Sequence, residues 1–249
     1  SALAGKESMK VRYRNLMIPI ITIGGYLICL VFQRDLGAAL IYFLTALTMI
    51  YIATHNLLIY LSGIGSGIVS AMIGYQLFAH VRVRVEAWQN PWKDISGKGY
   101  QIVQGLFAIG TWGWLGSGLT RGYPNKIPIV TSDFIYAAIC EEFGNLFAVG
   151  VILLYLALIL YSIRKILRVK ERFLVFLGVG LINTLAIQTV LIIGGVIKLI
   201  PLTGVTLPFI SYGGSSIIVS AFMIGLLQYV NGYGEEENVQ DSWEWPRKS

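Results

Sequence analysis

The stretch TSDFIYAAICEEFG, residues 131–144, runs directly into NLFAVGVILLYLALILYSI, residues 145–163. The second stretch carries no Asp, Glu, Lys or Arg. It is close to the ~20 apolar residues that a helix needs to cross a bilayer core. The first stretch sets one aspartate and then two glutamates just ahead of it. Ionisable groups at a membrane boundary are costly to hold there. The apolar run therefore decides the fold, and the carboxylates beside it pose the functional question.

The whole chain agrees with a membrane reading. Its 249 residues are 55% hydrophobic and 13% charged, and mean hydropathy is +0.68. A soluble domain usually carries about 25% charged residues. An all-α polytopic membrane protein is expected. The net charge of +6 is the mark of basic loops facing anionic lipid and requires no nucleic acid. Cys29 and Cys140 both sit in apolar sequence and read as small buried hydrophobes. No His/Cys cluster has metal-binding spacing, no cofactor is evident, and a divalent-cation requirement is not readable from sequence.

About six spans can be drawn, at approximately 15–32, 37–54, 57–79, 145–163, 173–198 and 212–230. The third, with LSGIGSGIVSAMIG, is rich in small residues, which predicts close helix–helix contact. Lys6, Lys10, Arg12 and Arg14 precede the first span, and RKILRVKER occupies 164–172. Both basic segments are predicted to face the cytoplasm. Residues 1–14 are then a cytoplasmic loop, 15–230 the membrane domain and 231–249 a loosely ordered cytoplasmic tail containing EEE at 235–237. Three segments face outward: QRDLG at 33–37, the long stretch from about 80 to 144, and PLTGVTLPFISYGG at 201–214. The long stretch is aromatic and apolar, as suits short helices lying at the membrane surface. The opening SALAGKESMKVRYRN is polar and has no initiator Met, so a piece of a longer protein is expected.

Thirteen acids occur, and four of them abut apolar sequence: Asp35, Asp133, Glu141 and Glu142. Asp35 is placed to cap the second span or to join an ion pair. Glu141 and Glu142 precede the fourth span, where acids favour a helix N-terminus. In one continuous helix Glu141 would fall roughly 80° around from Asp133, so the two need not share a face. Asp133 follows a loop holding Arg121, Pro124, Lys126 and Pro128. Ser132-Asp133 is good N-cap chemistry, and an outward carboxylate at a desolvated position can equally serve as a general base. The segment 201–214 is too short and too rich in Pro and Gly to span. Irregular backbone at membrane depth must be buried in protein or line a cavity. Lys198 can snorkel or meet an acidic or phosphate partner. These residues describe an outward-facing site with carboxylates, cations and Gly-rich walls. It suits a lipid-linked phosphate-bearing substrate or a transported ion.

Five features together resemble the SEDS family of bacterial cell-wall proteins, which includes FtsW, RodA and SpoVE. They are QRDLGAAL at 33–40, NPWKDISGKGYQIVQGLFAIGTWGWLGSGL at 90–119, TSDFIYAAICEEFG at 131–144, Gln188, and GVTLPFISYGGSS at 204–216. The match extends over roughly residues 13–230. The resemblance implies a ten-span fold, of which the six spans here would be the fifth to the tenth. It implies peptidoglycan glycosyltransferase activity on lipid II at the outer face of the bacterial cytoplasmic membrane, in division, elongation or sporulation. The partner it implies is a class B penicillin-binding transpeptidase.

By position, the resemblance places Asp133 at the family's essential loop aspartate and Asp35 at the acid of its DLG motif. Ser211, Gly213 and Gly214 fall on its SYGG turn. Arg34, Ala38, Ser132, Tyr136, Ile192 and Lys198 depart from the usual residues. Asp133 would take the proton of the acceptor sugar's 4-hydroxyl as undecaprenyl pyrophosphate leaves. Arg121, Lys126, Lys98 and Lys198 are the candidate cations for that pyrophosphate. Two other functions are open to the same sequence: a lipid II flippase, and a non-catalytic scaffold that activates the transpeptidase.

Overall fold

Each apolar run forms a helix, and among the described residues there is no strand. The computed structural model describes the backbone over residues 13–243 and the side chains over residues 20–233. The chain divides into two compact units, Ser1–Leu77 and Phe78–Ser249.

The first unit contains α1 (Tyr13–Phe32), α2 (Leu36–Thr54) and α3 (Leu57–Leu77). The α1–α2 turn is tight: Arg34 takes φ +62°, and Asp35 N–H donates to Leu30 O at 3.0 Å. The Asp35 carboxylate then accepts from Ala38 N–H at 3.0 Å. That bond satisfies one of the amide donors left open at a helix start. At the next turn His55 is left-handed and Asn56 Oδ1 accepts from Leu58 N–H at 2.9 Å. The small residues of α3 make close contact at two positions. A Cβ on Gly63 would fall 2.2 Å from Leu47 Cδ1, and one on Gly67 would fall 2.8 Å from the Phe43 ring. Gly65 faces open space, and within this unit α3 buries no residue.

The second unit contains α4 (Ala79–Gln89), α5 (Tyr100–Thr111), α6 (Ile135–Ile166), α7 (Arg172–Val196) and α8 (Gly214–Trp243), with single 3-10 turns at Pro91–Asp94 and Pro124–Lys126. The stretch between α3 and α6 thus holds short helices, as its composition predicted. A cluster of Ile166, Val169, Leu174, Ile182, Leu185, Leu227 and Val230 joins the ends of α6, α7 and α8. Gly178 lets Ile166 and Val230 close over α7, because a Cβ there would lie 2.9 to 3.1 Å from both.

Five helices are long and apolar enough to cross a membrane: Leu36–Thr54, Leu57–Leu77, Ile135–Ile166, Arg172–Val196 and Gly214–Tyr233. In α1 the described side chains form a shorter apolar stretch, Ile20–Phe32. The protein is an all-α polytopic membrane protein.

Two boundaries differ from expectation. The fourth span was expected to start at residue 145, yet its helix starts at Ile135 and is 32 residues long. That is roughly 48 Å of helix against a core of about 30 Å. The excess is set apart by a break at Gly144, with φ 87° and ψ 164°. The tail expected to loosen after residue 230 stays helical to Trp243, since Glu and Gln are good helix formers. The glutamate side chains at 235–237, residues 1–12 and residues 244–249 lie outside the described residues.

Candidate active site

The turn that carries Asp133 is fixed from below by one ring. Phe134 is fully buried, and its Cε1 occupies the space where a Gly105 Cβ would be, 2.5 Å away. Only glycine at that position of α5 lets the ring seat. The amides of Ser132 and Asp133 both donate to Ile129 O at 3.2 Å. The helix cap is Phe134, with no side-chain cap bond, so Asp133 is not the N-cap that its sequence suggested. The carboxylate is turned elsewhere: Oδ1 accepts from Ser132 Oγ at 2.7 Å. Oδ2 lies 3.6 Å from the point where a Cβ on Gly204 would sit.

The irregular segment 201–213 closes on this turn. Ser211 is 1% exposed; its Oγ donates to Ser132 O at 2.6 Å and accepts from Leu207 N–H at 2.8 Å. Tyr212 N–H donates to Thr131 O at 2.8 Å. The two motifs Thr131-Ser132-Asp133 and Ser211-Tyr212 are therefore stitched by both side chain and backbone. Gln188 Nε2 donates to Thr206 O at 2.8 Å, and Thr206 Oγ1 bonds Ser216 Oγ at 2.7 Å. Tyr155 OH donates to Pro208 O. Buried irregular backbone is thereby satisfied inside the protein, as membrane depth demands. Gly213 packs against Ser216 and Thr206, whereas Gly214 starts α8 with open space at its Cβ position.

One residue of the site was not singled out in the sequence. Arg84, on α4, donates from Nη1 to Thr203 O at 3.1 Å. Its Nη2 lies 3.9 Å from the same Gly204 Cβ position that Asp133 Oδ2 approaches. The available signal was VRVRVE at 81–86, a pair of arginines in a helix otherwise placed at the membrane surface. Trp88 Nε1, one turn on, donates to Lys198 O at 3.0 Å and ties α4 to the end of α7.

The four cations named from sequence lie in different settings. Lys98 pairs with Glu86 at 3.8 Å between two half-exposed side chains, a weak interaction in solvent. Lys126 lies over the Tyr123 ring at 4.6 Å. Arg121 is exposed, with its stem against Gly118. Lys198 has φ +63° and receives Trp88 on its carbonyl. Asp35 belongs to the first unit, where its carboxylate caps α2.

Glu141 and Glu142 do not start a helix. They lie in its second turn, immediately before the Gly144 break. In an unbroken helix Asn145 N–H and Leu146 N–H would donate to Glu141 O and Glu142 O. Instead Asn145 N–H donates to Gly113 O and Leu146 N–H to Trp114 O, at 3.1 and 3.2 Å. Ser117 N–H and Gly118 N–H take the two vacated carbonyls, at 2.8 and 3.0 Å. Loop 113–118 has thus been inserted into the helix ladder. The carboxylates secure the same loop. Buried Glu141 accepts from Tyr123 N–H at 2.7 Å, and Glu142 from Thr120 N–H at 3.1 Å. Among the described residues no group of three or more His, Cys, Asp or Glu could hold a metal ion.

The family profile of FtsW, RodA and SpoVE, described as cell cycle protein, matches residues 1–236. The peptidoglycan glycosyltransferase RodA of Mycobacterium tuberculosis is 39% identical over 202 residues, which is 81% of this chain and 43% of that protein. Stage V sporulation protein E of Bacillus subtilis is 35% identical over 238 residues, covering 93% of this chain and 64% of that protein. The probable peptidoglycan glycosyltransferase FtsW of Geobacter sulfurreducens is 38% identical over 207 residues, 81% of this chain and 54% of that protein. The chain therefore spans between 43% and 64% of these relatives' length. A solved structure described as "Structural coordination of polymerization and crosslinking by a peptidoglycan synthase complex" shares the fold. Its TM-score is 0.68 at 24% identity, over 91% of this chain and 64% of that one.

Proposed function

The chain belongs to the family of FtsW, RodA and SpoVE, and from that premise we propose that it carries the catalytic aspartate of a peptidoglycan glycosyltransferase. The substrate is lipid II, and the reaction takes place at the outer face of the bacterial cytoplasmic membrane. The observation that carries this reading is the setting of Asp133. One carboxylate oxygen is held by Ser132, and the other lies 3.6 Å from the point where a Cβ on exposed Gly204 would sit, a point that Arg84 Nη2 approaches to 3.9 Å. Ser132 fixes the carboxylate's orientation, and Oδ2 remains free to accept a proton.

In the reaction the acceptor's 4-hydroxyl oxygen attacks the donor's anomeric carbon, and its proton passes to Asp133. The bond from that carbon to the diphosphate oxygen breaks, and its electron pair leaves with the lipid diphosphate. An α-linked donor giving a β-1,4 product inverts in a single displacement, for which one base suffices. Positive charge beside the departing group lowers the barrier further. Both chain ends are assigned to the cytoplasm from the basic residues that precede the first span, those filling 164–172, and the count of six spans. The assigned partner is a class B penicillin-binding transpeptidase. The description of the structural neighbour as a synthase complex that couples polymerization and crosslinking supports that assignment.

The test is Asp133→Ala and Asp133→Asn in the full-length protein with its partner, scored by polymerisation of labelled lipid II. Both are expected to lose at least about 100-fold, the lower range for removing a general base. Polymer at near wild-type level from correctly inserted protein would refute the role.

A further inference from the structure

One face of α5 grips the chain on both sides of Asp133. Gln101 and Gly105 stand one helical turn apart, about 6 Å along the axis, and so share that face. Gln101 Nε2 donates to Pro128 O at 2.8 Å. Gly105 leaves the space filled by the buried Phe134 ring, whose Cε1 lies 2.5 Å from where a Cβ would be. The chain therefore leaves this face at Pro128 and returns to it at Phe134. Extended chain between those residues would cover roughly 20 Å, so residues 129–133 have to arch. The amides of Ser132 and Asp133 close the arch by donating to Ile129 O, both at 3.2 Å.

The arch begins at a residue poorly suited to it. Ile129 has φ +55°, in the left-handed region, where a β-branched side chain is a steric outlier. Its side chain is 64% exposed, so burial offers little compensation. Strained backbone of this kind persists only where its surroundings hold it. Pro128 O belongs to the peptide that ends on Ile129 N, so the Gln101 bond fixes the peptide plane from which that φ is turned.

We propose that Gln101 is a positioning residue for Asp133: its bond to Pro128 O holds the left-handed bend at Ile129, and the carbonyl of that bend sets the amides of Ser132 and Asp133. This rests on the glycosyltransferase reading, in which Asp133 is the base. A base carried on an arch keeps its alignment with a bound hydroxyl only while the arch is closed. Opening it lowers turnover and leaves lipid II binding unchanged.

The experiment follows polymerisation of labelled lipid II across substrate concentrations by the full-length protein with its partner. It also follows hydrogen–deuterium exchange at the amides of Ser132 and Asp133. Gln101→Met keeps the reach of the side chain and removes the donor. It is expected to slow polymerisation at saturating lipid II by about 3- to 10-fold, the range for one neutral hydrogen bond, with KM unchanged. Exchange at the two amides should quicken by a similar factor. Adding Ile129→Gly to Gln101→Met should recover most of the lost rate, since glycine takes the left-handed bend without strain, whereas adding Ile129→Val should recover none. An unchanged saturating rate in Gln101→Met overturns the proposal, whatever the exchange shows. So does a loss carried by KM, which would make Gln101 a contact for the lipid. A glycine double variant as slow as Gln101→Met also overturns it, because the bond would then act independently of the bend. Should Gln101→Met insert poorly, Gln101→Asn, whose donor falls one methylene short of Pro128 O, is read by the same criteria. Asp133→Asn separates the two levels. If it polymerises lipid II, the glycosyltransferase reading fails. If it is inactive while Gln101→Met keeps the wild-type rate, only the Gln101 proposal fails.

Discussion

Gly144→Ala is the most informative single change to the scaffold. At φ 87° and ψ 164° the backbone lies in a region open essentially to glycine, where another residue costs about 1–3 kcal/mol. The new Cβ would also fall 2.2 Å from Trp114 O, 2.5 Å from Leu115 C and 2.6 Å from Gly116 N. All three are backbone atoms and cannot swing aside. The relief available is closure of α6 through residue 144. Asn145 and Leu146 would then donate within the helix to Glu141 O and Glu142 O. Loop 113–118 would lose all four of its backbone bonds to α6, while the helix regains two. At about 1 kcal/mol net per bond, the loop is released by roughly 2–4 kcal/mol, allowing for partial rebonding to water. That free energy corresponds to faster amide exchange by on the order of 30- to 1,000-fold. Hydrogen–deuterium exchange read at Ser117 and Gly118 measures it directly, with amides of α7 as the internal reference. Retention of wild-type protection at both amides, with α7 unchanged, would refute the claim that the break in α6 exists to hold the loop.

Two further changes probe the same frame. Glu141→Ala leaves Tyr123 N–H unpaired and removes a buried side chain, so a loss of about 2–3 kcal/mol is expected, whereas Glu141→Gln keeps an acceptor and should cost about half as much; thermal unfolding of the purified protein distinguishes them, and equal losses would show that the Tyr123 bond contributes nothing. Ser211→Ala breaks the bond to Ser132 O and leaves Leu207 N–H without its acceptor, which should cost about 1–3 kcal/mol and lower lipid II polymerisation more than lipid binding, because the change loosens the turn under Asp133; equal loss of both would contradict that.

The helices were legible in the sequence because the bilayer imposes a length. Runs such as residues 37–54 and 173–198 are near the ~20 apolar residues that a crossing demands, and Asp35 marks the start of the second span. Motifs at 131–144 and 204–216 were also legible as places of irregular chemistry, and they meet through Ser211 and Tyr212. The start of α6 was misread for a physical reason. Two glutamates beside an apolar run look like the acidic first turn of a helix. Their actual partners, Tyr123 and Thr120, lie 18 and 22 residues earlier and leave no local periodicity. The inserted loop did leave a trace in Gly113, Gly116, Gly118 and Gly144, all with positive φ. Glycines so common in this chain do not reveal which of them pair.

Arg84 was missed on the same grounds. A surface helix with two arginines carries no sign of which one turns inward, and the sign depends on Thr203, 119 residues away. The sequence offered Arg121 and Lys126, close to Asp133 in number, together with Lys98 and Lys198. The fold also brings Arg84 of α4 to this region, because Trp88 and Arg84 both bind the segment that leaves α7. The Asp133 turn and Arg84 are each held by neighbours: Phe134 against Gly105, the Ser211 stitch between the two motifs, and Thr203 O on Arg84. A site built this way tolerates divergence such as Ser132 for the usual threonine, since the hydroxyl bond to Asp133 is kept. A side chain at residue 204 would be strained by its backbone, at φ +75°, although its Cβ would meet Asp133 Oδ2 and Arg84 Nη2 only at ordinary contact distance.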